Sequence, residues 1–187
     1  MRRLTLLCLS LLLALPAGLA AEERVTVNGA RFATELEVDG QPFRLIGHGL
    51  LRYMVWDAYA GAYYQAPEAR DPEPDAEIPR RLELEYFHAI EAEEFASVTR
   101  EEVRKARDET DYQKLMPGLD SFTDAYRSVE PGDRYALTWD DEGLRLALNG
   151  ETLFEGDDPA LAEALFAIWL GEAPLKAGFR DALLGRR

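Results

Sequence analysis

Three turn dipeptides, Asn28-Gly29, Asp39-Gly40 and Asn149-Gly150, stand between runs of alternating apolar residues and commit much of this chain to an antiparallel sheet. Tight hairpin turns hold residues at positive φ, which Asn, Asp and Gly adopt at least cost. The pattern predicts a strand at Arg24–Val27, a second over 32–38, and a hairpin at Asp39-Gly40 leading into 43–46. A longer extended run covers 50–65. In 81–87, Leu82, Leu84 and Tyr86 face one way while Glu83 and Glu85 face the other, as in a half-buried strand. Tyr135, Leu137 and Trp139 alternate, Asp140 to Gly143 turns, Leu144, Leu146 and Leu148 alternate, and Asn149-Gly150 leads into 152–154.

Between and after these strands the period changes to that of a helix. Glu91, Glu93 and Glu94 crowd a first turn, where carboxylates favour the helix dipole, and Phe95, Thr99, Val103 and Ala106 form the inward stripe. A second helix carries Leu115, Leu119, Phe122 and Tyr126, with a break or kink expected near Pro117-Gly118. Asp157-Asp158-Pro159 opens a third, with a carboxylate cap and a proline where no N–H is needed. Leu161, Leu165, Ile168 and Trp169 follow at helical spacing, and Gly171 stops the run. Pro174 restarts a helix bearing Leu175, Phe179 and Leu183, ended by Gly185. Residues 67–79, rich in Pro, Asp, Glu and Ala without periodicity, read as an exposed loop. Strands and helices in blocks define an α+β domain, an antiparallel sheet with helices layered on one face.

The first twenty residues read differently. Arg2 and Arg3 precede an apolar run from Leu4 to Leu15, then Pro16 and Gly18-Leu19-Ala20, the pattern of a cleavable signal peptide. The expected arrangement is a signal peptide at 1–20 and a single domain at 21–187, periplasmic or secreted. The apolar run is shorter than the roughly 20 residues of a membrane span, so no stable membrane insertion is expected after processing. Cys8, the single cysteine, lies inside that run, and the mature chain depends on its hydrophobic core without disulfides. A formal charge of −14 disfavours nucleic acid and anionic lipid headgroups as partners.

Catalytic signatures are sparse. There is no Gly-x-Ser-x-Gly, no His pair at metal spacing and no cysteine after processing, so no cofactor or metal is expected. Gly47-His48-Gly49-Leu50-Leu51-Arg52 has arginine where a dinucleotide loop needs its third glycine, and no helix follows. His48 and His88 stand apart, and Glu83 and Glu85 are expected to meet solvent. The run from Arg52 to Tyr64 is unusually aromatic with a single cation. On a regular strand Arg52, Met54, Trp56, Ala58, Ala60 and Ala62 share a face that the alanines leave shallow. Two readings follow. Arg52 could fix a carboxylate while a hydrocarbon body lies in the trough. Alternatively the alanines admit a helix and Arg52 pairs with a glutamate.

The segment Ala164-Leu165-Phe166-Ala167-Ile168-Trp169-Leu170-Gly171-Glu172-Ala173-Pro174-Leu175 resembles the chalcone isomerase-like superfamily, in its bacterial exported branch. Gly47-x-Gly49 leading to Tyr59-Ala60-Gly61-Ala62-Tyr63-Tyr64 supports the likeness. So do Arg81-Leu82-Glu83-Leu84 before Glu91-Ala92-Glu93-Glu94-Phe95, and Pro131-Gly132-Asp133-Arg134-Tyr135 with Leu148-Asn149-Gly150. The resemblance implies an open-faced β-sandwich with a ligand cleft between sheet and helices. It also implies a choice among plant enzymes that cyclise chalcones, relatives that bind fatty acids, and proteins of no assigned activity. Against the enzymes' arginine, threonine and tyrosine, this chain places Leu51, Tyr59 and Phe95, with Arg52 one position late. Phenylalanine cannot donate to a developing enolate, and losing one such donor costs about 2.7–4 kcal/mol in other enzymes. The preferred expectation is a non-catalytic binder of a small amphipathic molecule such as a fatty acid. Arg52 would meet the head, with Met54, Trp56, Tyr59 and Phe95 along the body. The alternatives are an isomerase or lyase acting on a conjugated ketone through Arg52 and Tyr59, and a ligand-free envelope protein acting through its acidic surface.

Overall fold

A computed structural model describes residues 23–69 and 78–186; the expected signal peptide and most of the expected loop at 67–79 lie outside the described residues. Seven antiparallel strands form one curled sheet in sequence order: β3 (Glu35–Val38), β4 (Gln41–Tyr53), β5 (Trp56–Gln65), β6 (Arg80–Tyr86), β7 (Arg134–Asp140), β8 (Gly143–Leu148) and β9 (Glu151–Gly156). A separate hairpin pairs β1 (Arg24–Val27) with β2 (Ala30–Ala33). The three turn dipeptides sit where the alternation placed them, with Asn28, Asp39 and Asn149 and the glycines after them all at positive φ. The strand expected over 32–38 is two, because the chain leaves one sheet at Thr34 and enters the other. The run over 50–65 is also two strands, reversing at Met54-Val55, so Tyr53 pairs with Trp56.

Four helices complete the α+β domain: α1 (Ala92–Lys105), α2 (Glu109–Asp124), α3 (Pro159–Leu170) and α4 (Ala177–Leu183). Asp158 caps α3 by accepting from the N–H groups of Ala160 and Leu161, a contribution of about 1 kcal/mol. A break or kink was expected near Pro117-Gly118; there is no break, since Pro117 lies within α2, which runs on to Asp124. Pro174 precedes α4 without starting it, and the helix begins at Ala177.

Register sorts the side chains into two layers. Tyr59 opposes Tyr86, Gly61 opposes Leu84, Tyr63 opposes Leu82 and Gln65 opposes Arg80, so these rows share the helix-facing side. Leu137, Leu146, Leu161, Leu165, Phe166 and Phe179 join them in the main core. Close approach of α4 depends on glycine: a Cβ on Gly47 would lie 2.5 Å from the Leu183 carbonyl oxygen, and one on Gly49 would lie 2.8 Å from Ala182 Cβ.

The opposite side is also dry. Ala60, Ala62 and Tyr64 pack with Ala30, Phe32 and Phe43 in a second core beneath the β1–β2 hairpin. Glu83 was expected in solvent; it is buried between Arg81 at 2.9 Å and Arg134 at 3.0 Å. Arg134 also binds Glu85, donates to the Arg31 carbonyl, and lies 4.5 Å over the Phe32 ring. This lattice fastens β6, β7 and the β1–β2 hairpin together.

Candidate functional site

The expectation that Arg52, Met54 and Trp56 border a trough against the helices is corrected by the β4–β5 reversal. All three lie at the hairpin tip, where Met54 is 82% and Trp56 62% exposed. The Arg52 side chain is largely in solvent and donates through Nε to Asp57 at 2.7 Å. Asp57 also accepts from Asn28 in the β1–β2 turn. The alanine face is filled too, since Ala60 and Ala62 are covered by the second core. Arg52 therefore pairs with a carboxylate, as the second reading held, though with Asp57 and not a glutamate.

Tyr59 and Phe95 do reach the interior. Tyr59 sits on the helix side of β5, accepts from the Trp169 indole N–H at 2.9 Å, and meets Phe179 edge-on with centroids 5.6 Å apart. Phe95, on α1, stacks on Tyr126 at 5.4 Å and meets Tyr86 and Tyr135 edge-on at 5.2 and 5.4 Å. Their partners Trp169, Tyr86, Tyr126 and Tyr135 line a narrow cavity between sheet and helices; Tyr59 and Phe95 themselves do not. Leu82, Leu84, Leu137, Leu146 and Leu165 form its body, and Tyr86, Tyr126, Tyr135 and Trp169 its aromatic end. Its open space is about 20 Å³, room for about one water.

Phenols supply the polar groups here. Tyr126 shares a hydrogen bond with Thr99 at 3.0 Å, and Tyr135 donates to the Arg127 carbonyl at 2.7 Å. Tyr86 is buried, and its ring lines the cavity. Burial pushes the Tyr59, Tyr86 and Tyr126 phenols well above the ordinary tyrosine range. For Tyr86 the neighbouring Tyr59, Tyr126 and Tyr135 add to the effect. Such groups are neutral hydrogen-bonding partners near pH 7 and poor proton-transfer catalysts.

The structure does not bring Arg52 and Tyr59 together: one is at a solvated tip and the other is buried beneath Trp169. Leu51, at the position of the enzymes' arginine, is buried opposite Tyr59 and carries no charge. Among the described residues no group of three or more His, Cys, Asp or Glu is arranged to hold a metal ion. Tyr86, Tyr126, Tyr135 and Trp169 were missed as site residues. The usable signal for Tyr86 was its place at the end of the Leu82, Leu84, Tyr86 row. Convergence of the others depends on helix placement.

A curled antiparallel sheet with four helices over an aromatic-ended cavity is the architecture of the open-faced β-sandwich. The chain belongs to the chalcone isomerase-like family, whose profile matches residues 24–185. Among solved structures it is similar to a fatty-acid binding protein of Arabidopsis thaliana, at TM-score 0.68 and 17% identity, covering 87% of this chain and 96% of that one. No curated protein matches the sequence. Among the described residues no helix is long and apolar enough to cross a membrane.

Proposed function

We propose that this protein is a non-catalytic binder of a small amphipathic molecule, such as a fatty acid, held between the sheet and α1–α3. The observation that carries this reading is the apolar cavity between sheet and helices, with Tyr86, Tyr126, Tyr135 and Trp169 gathered at one end of it. A hydrocarbon body would lie among the leucines, and a polar headgroup would exchange hydrogen bonds with a phenol at the aromatic end. The fatty-acid binding protein among the structural neighbours supports the same class of ligand. Tyr86 replaces Arg52 as the proposed polar contact, with Tyr59 and Phe95 packed behind the lining rings.

Ligand sites commonly occupy about 300–1,000 Å³, so binding in this narrow cavity requires it to widen. Trp169 is the group to move, because it lines the cavity and bridges α3 to the sheet through Tyr59. Organic extraction of the purified protein and thermal melts with long-chain fatty acids test the reading. A ligand at a hundred times its Kd adds about 2.7 kcal/mol of stability, and Tyr86→Phe should abolish most of that gain. No co-purifying lipid and no shift would remove the proposal.

The small free space of the cavity favours one competing reading, a ligand-free protein that works through its surface. Export to the periplasm or beyond is part of the same proposal and rests on residues 1–20; cell fractionation with and without that segment tests it. Chalcone cyclisation has less support, because Leu51 and Phe95 supply neither a cation nor a donor and Arg52 lies at the solvated hairpin tip away from Tyr59.

A further inference from the structure

We infer that the tip of the β4–β5 hairpin is a membrane-docking device that inserts Met54 and Val55 into the surface of a zwitterionic lipid bilayer. Five large hydrophobic side chains are exposed among the described residues, and four of them are consecutive: Tyr53 at 64%, Met54 at 82%, Val55 at 85% and Trp56 at 62%. Tyr59 opposite Tyr86 is the last register pair between β5 and β6 in this direction, so the tip extends past the neighbouring strand. Trp56 is braced edge-on against His88, with centroids 5.7 Å apart.

The order of the residues identifies the occupant. The two aliphatic side chains stand outermost and the two amphipathic rings flank them. That matches a bilayer, where hydrocarbon lies deepest and Tyr and Trp settle at headgroup level. A stable protein interface uses roughly 20–30 residues a side, far more than this tip presents, whereas a bilayer needs no matching contour. Charge narrows the surface further. Arg52 is balanced by Asp57, leaving the tip neutral on a chain of formal charge −14, which anionic headgroups repel.

Backbone conformation points the same way. Asn28, Asp39 and Asn149 begin three hairpin turns at positive φ, and the matching position here is Met54 at φ 54°. Methionine pays a conformational penalty there that asparagine or glycine would avoid. The apolar side chain is kept where the fold itself prefers another residue.

Flotation of the full chain with phosphatidylcholine vesicles tests this, and the result does not depend on whether the cleft takes a ligand. The wild-type protein should float. Met54→Ser/Val55→Ser should reduce partitioning about tenfold or more, since both side chains are already solvated and the fold is unaffected. Val98→Ser, at the other exposed hydrophobic residue, and Tyr86→Phe should both float as wild type. Wild-type protein that stays with the aqueous phase overturns the inference, as does equal flotation of the tip double variant. Stronger binding to phosphatidylglycerol than to phosphatidylcholine vesicles also overturns it. So does capture of a protein through the tip by a chain that ignores vesicles.

Discussion

Trp169 of α3 donates its indole N–H to the phenol oxygen of Tyr59 on β5 at 2.9 Å, a hydrogen bond that spans the cleft between helix layer and sheet. The two residues are far apart in sequence, and their contact holds the aromatic end closed. Tyr59→Phe should leave that indole donor buried without a partner, at a cost of about 1–3 kcal/mol. Chemical denaturation measures it, and a double-mutant cycle with Trp169→Phe should show the losses to be strongly non-additive.

Gly47 gives the sharpest packing test. Its missing Cβ is the space that the Leu183 carbonyl and the Gly185 amide occupy, the latter 2.7 Å from where that atom would be. Backbone atoms cannot rotate aside as a side chain can. Gly47→Ala should destabilise by about 2–3 kcal/mol, whereas Gly178→Ala, with open space around it, should fall within about 0.5 kcal/mol of wild type.

Met54→Asn should have the opposite sign. Relief at positive φ is expected to raise stability by about 0.5–1 kcal/mol in urea titrations, because asparagine tolerates this conformation. The same change should weaken vesicle partitioning, so stability and docking would move apart.

Alkaline pH should expose the buried phenols. Tyr63 is pushed up to about 12 by burial, with Gln65 and Arg80 acting in the other direction, and Tyr59, Tyr86 and Tyr126 are raised further. An acid whose folded pKa is raised stabilises fully below the unfolded value and loses that contribution as pH climbs towards the folded one. Stability from these groups should therefore be level up to about pH 10 and fall between about 10 and 12, by about 1.4 kcal/mol per pH unit for each phenol. Urea midpoints across this range check it; midpoints that stay level from about pH 10 to 12 would contradict it.

Glu83→Ala removes the carboxylate shared by Arg81 and Arg134. Each guanidinium keeps another partner, Thr138 for Arg81 and Glu85 for Arg134, so the loss should stay near the lower end of the roughly 3–5 kcal/mol seen for broken buried pairs. Glu35→Ala, at an exposed position on the edge strand, should change little.

The sheet was legible because its turns are chemically marked. Asn28-Gly29, Asp39-Gly40 and Asn149-Gly150 each declare a reversal, and alternation in 81–87 and 134–148 separates the two side-chain rows of each strand. The β4–β5 reversal was hidden because Met54-Val55 carries no turn chemistry. Misreading it as a continuous strand placed Arg52, Met54 and Trp56 on a face they do not share with any cleft. The small residues were noticed, but their partners were exchanged: alanines 60 and 62 meet the β1–β2 hairpin, and glycines 47, 49 and 61 meet α4. Periodicity within a strand shows alternation; it does not show which layer arrives on which side. Tyr59 and Phe95 were chosen by family likeness and do reach the interior, while Tyr86, Tyr126, Tyr135 and Trp169 converge only through tertiary placement.

The glycine corridor beneath α4 has a consequence for how the protein is made. Its two halves, Gly47 to Gly61 and Phe179 to Gly185, lie near opposite ends of the domain and must meet backbone to backbone. During synthesis the early hairpin has no lid of its own, and its bare main chain waits until nearly the whole domain has emerged. Such late closure slows folding and prolongs exposure of an adhesive ribbon. A chaperone that shields nascent strands would find its longest engagement at this hairpin.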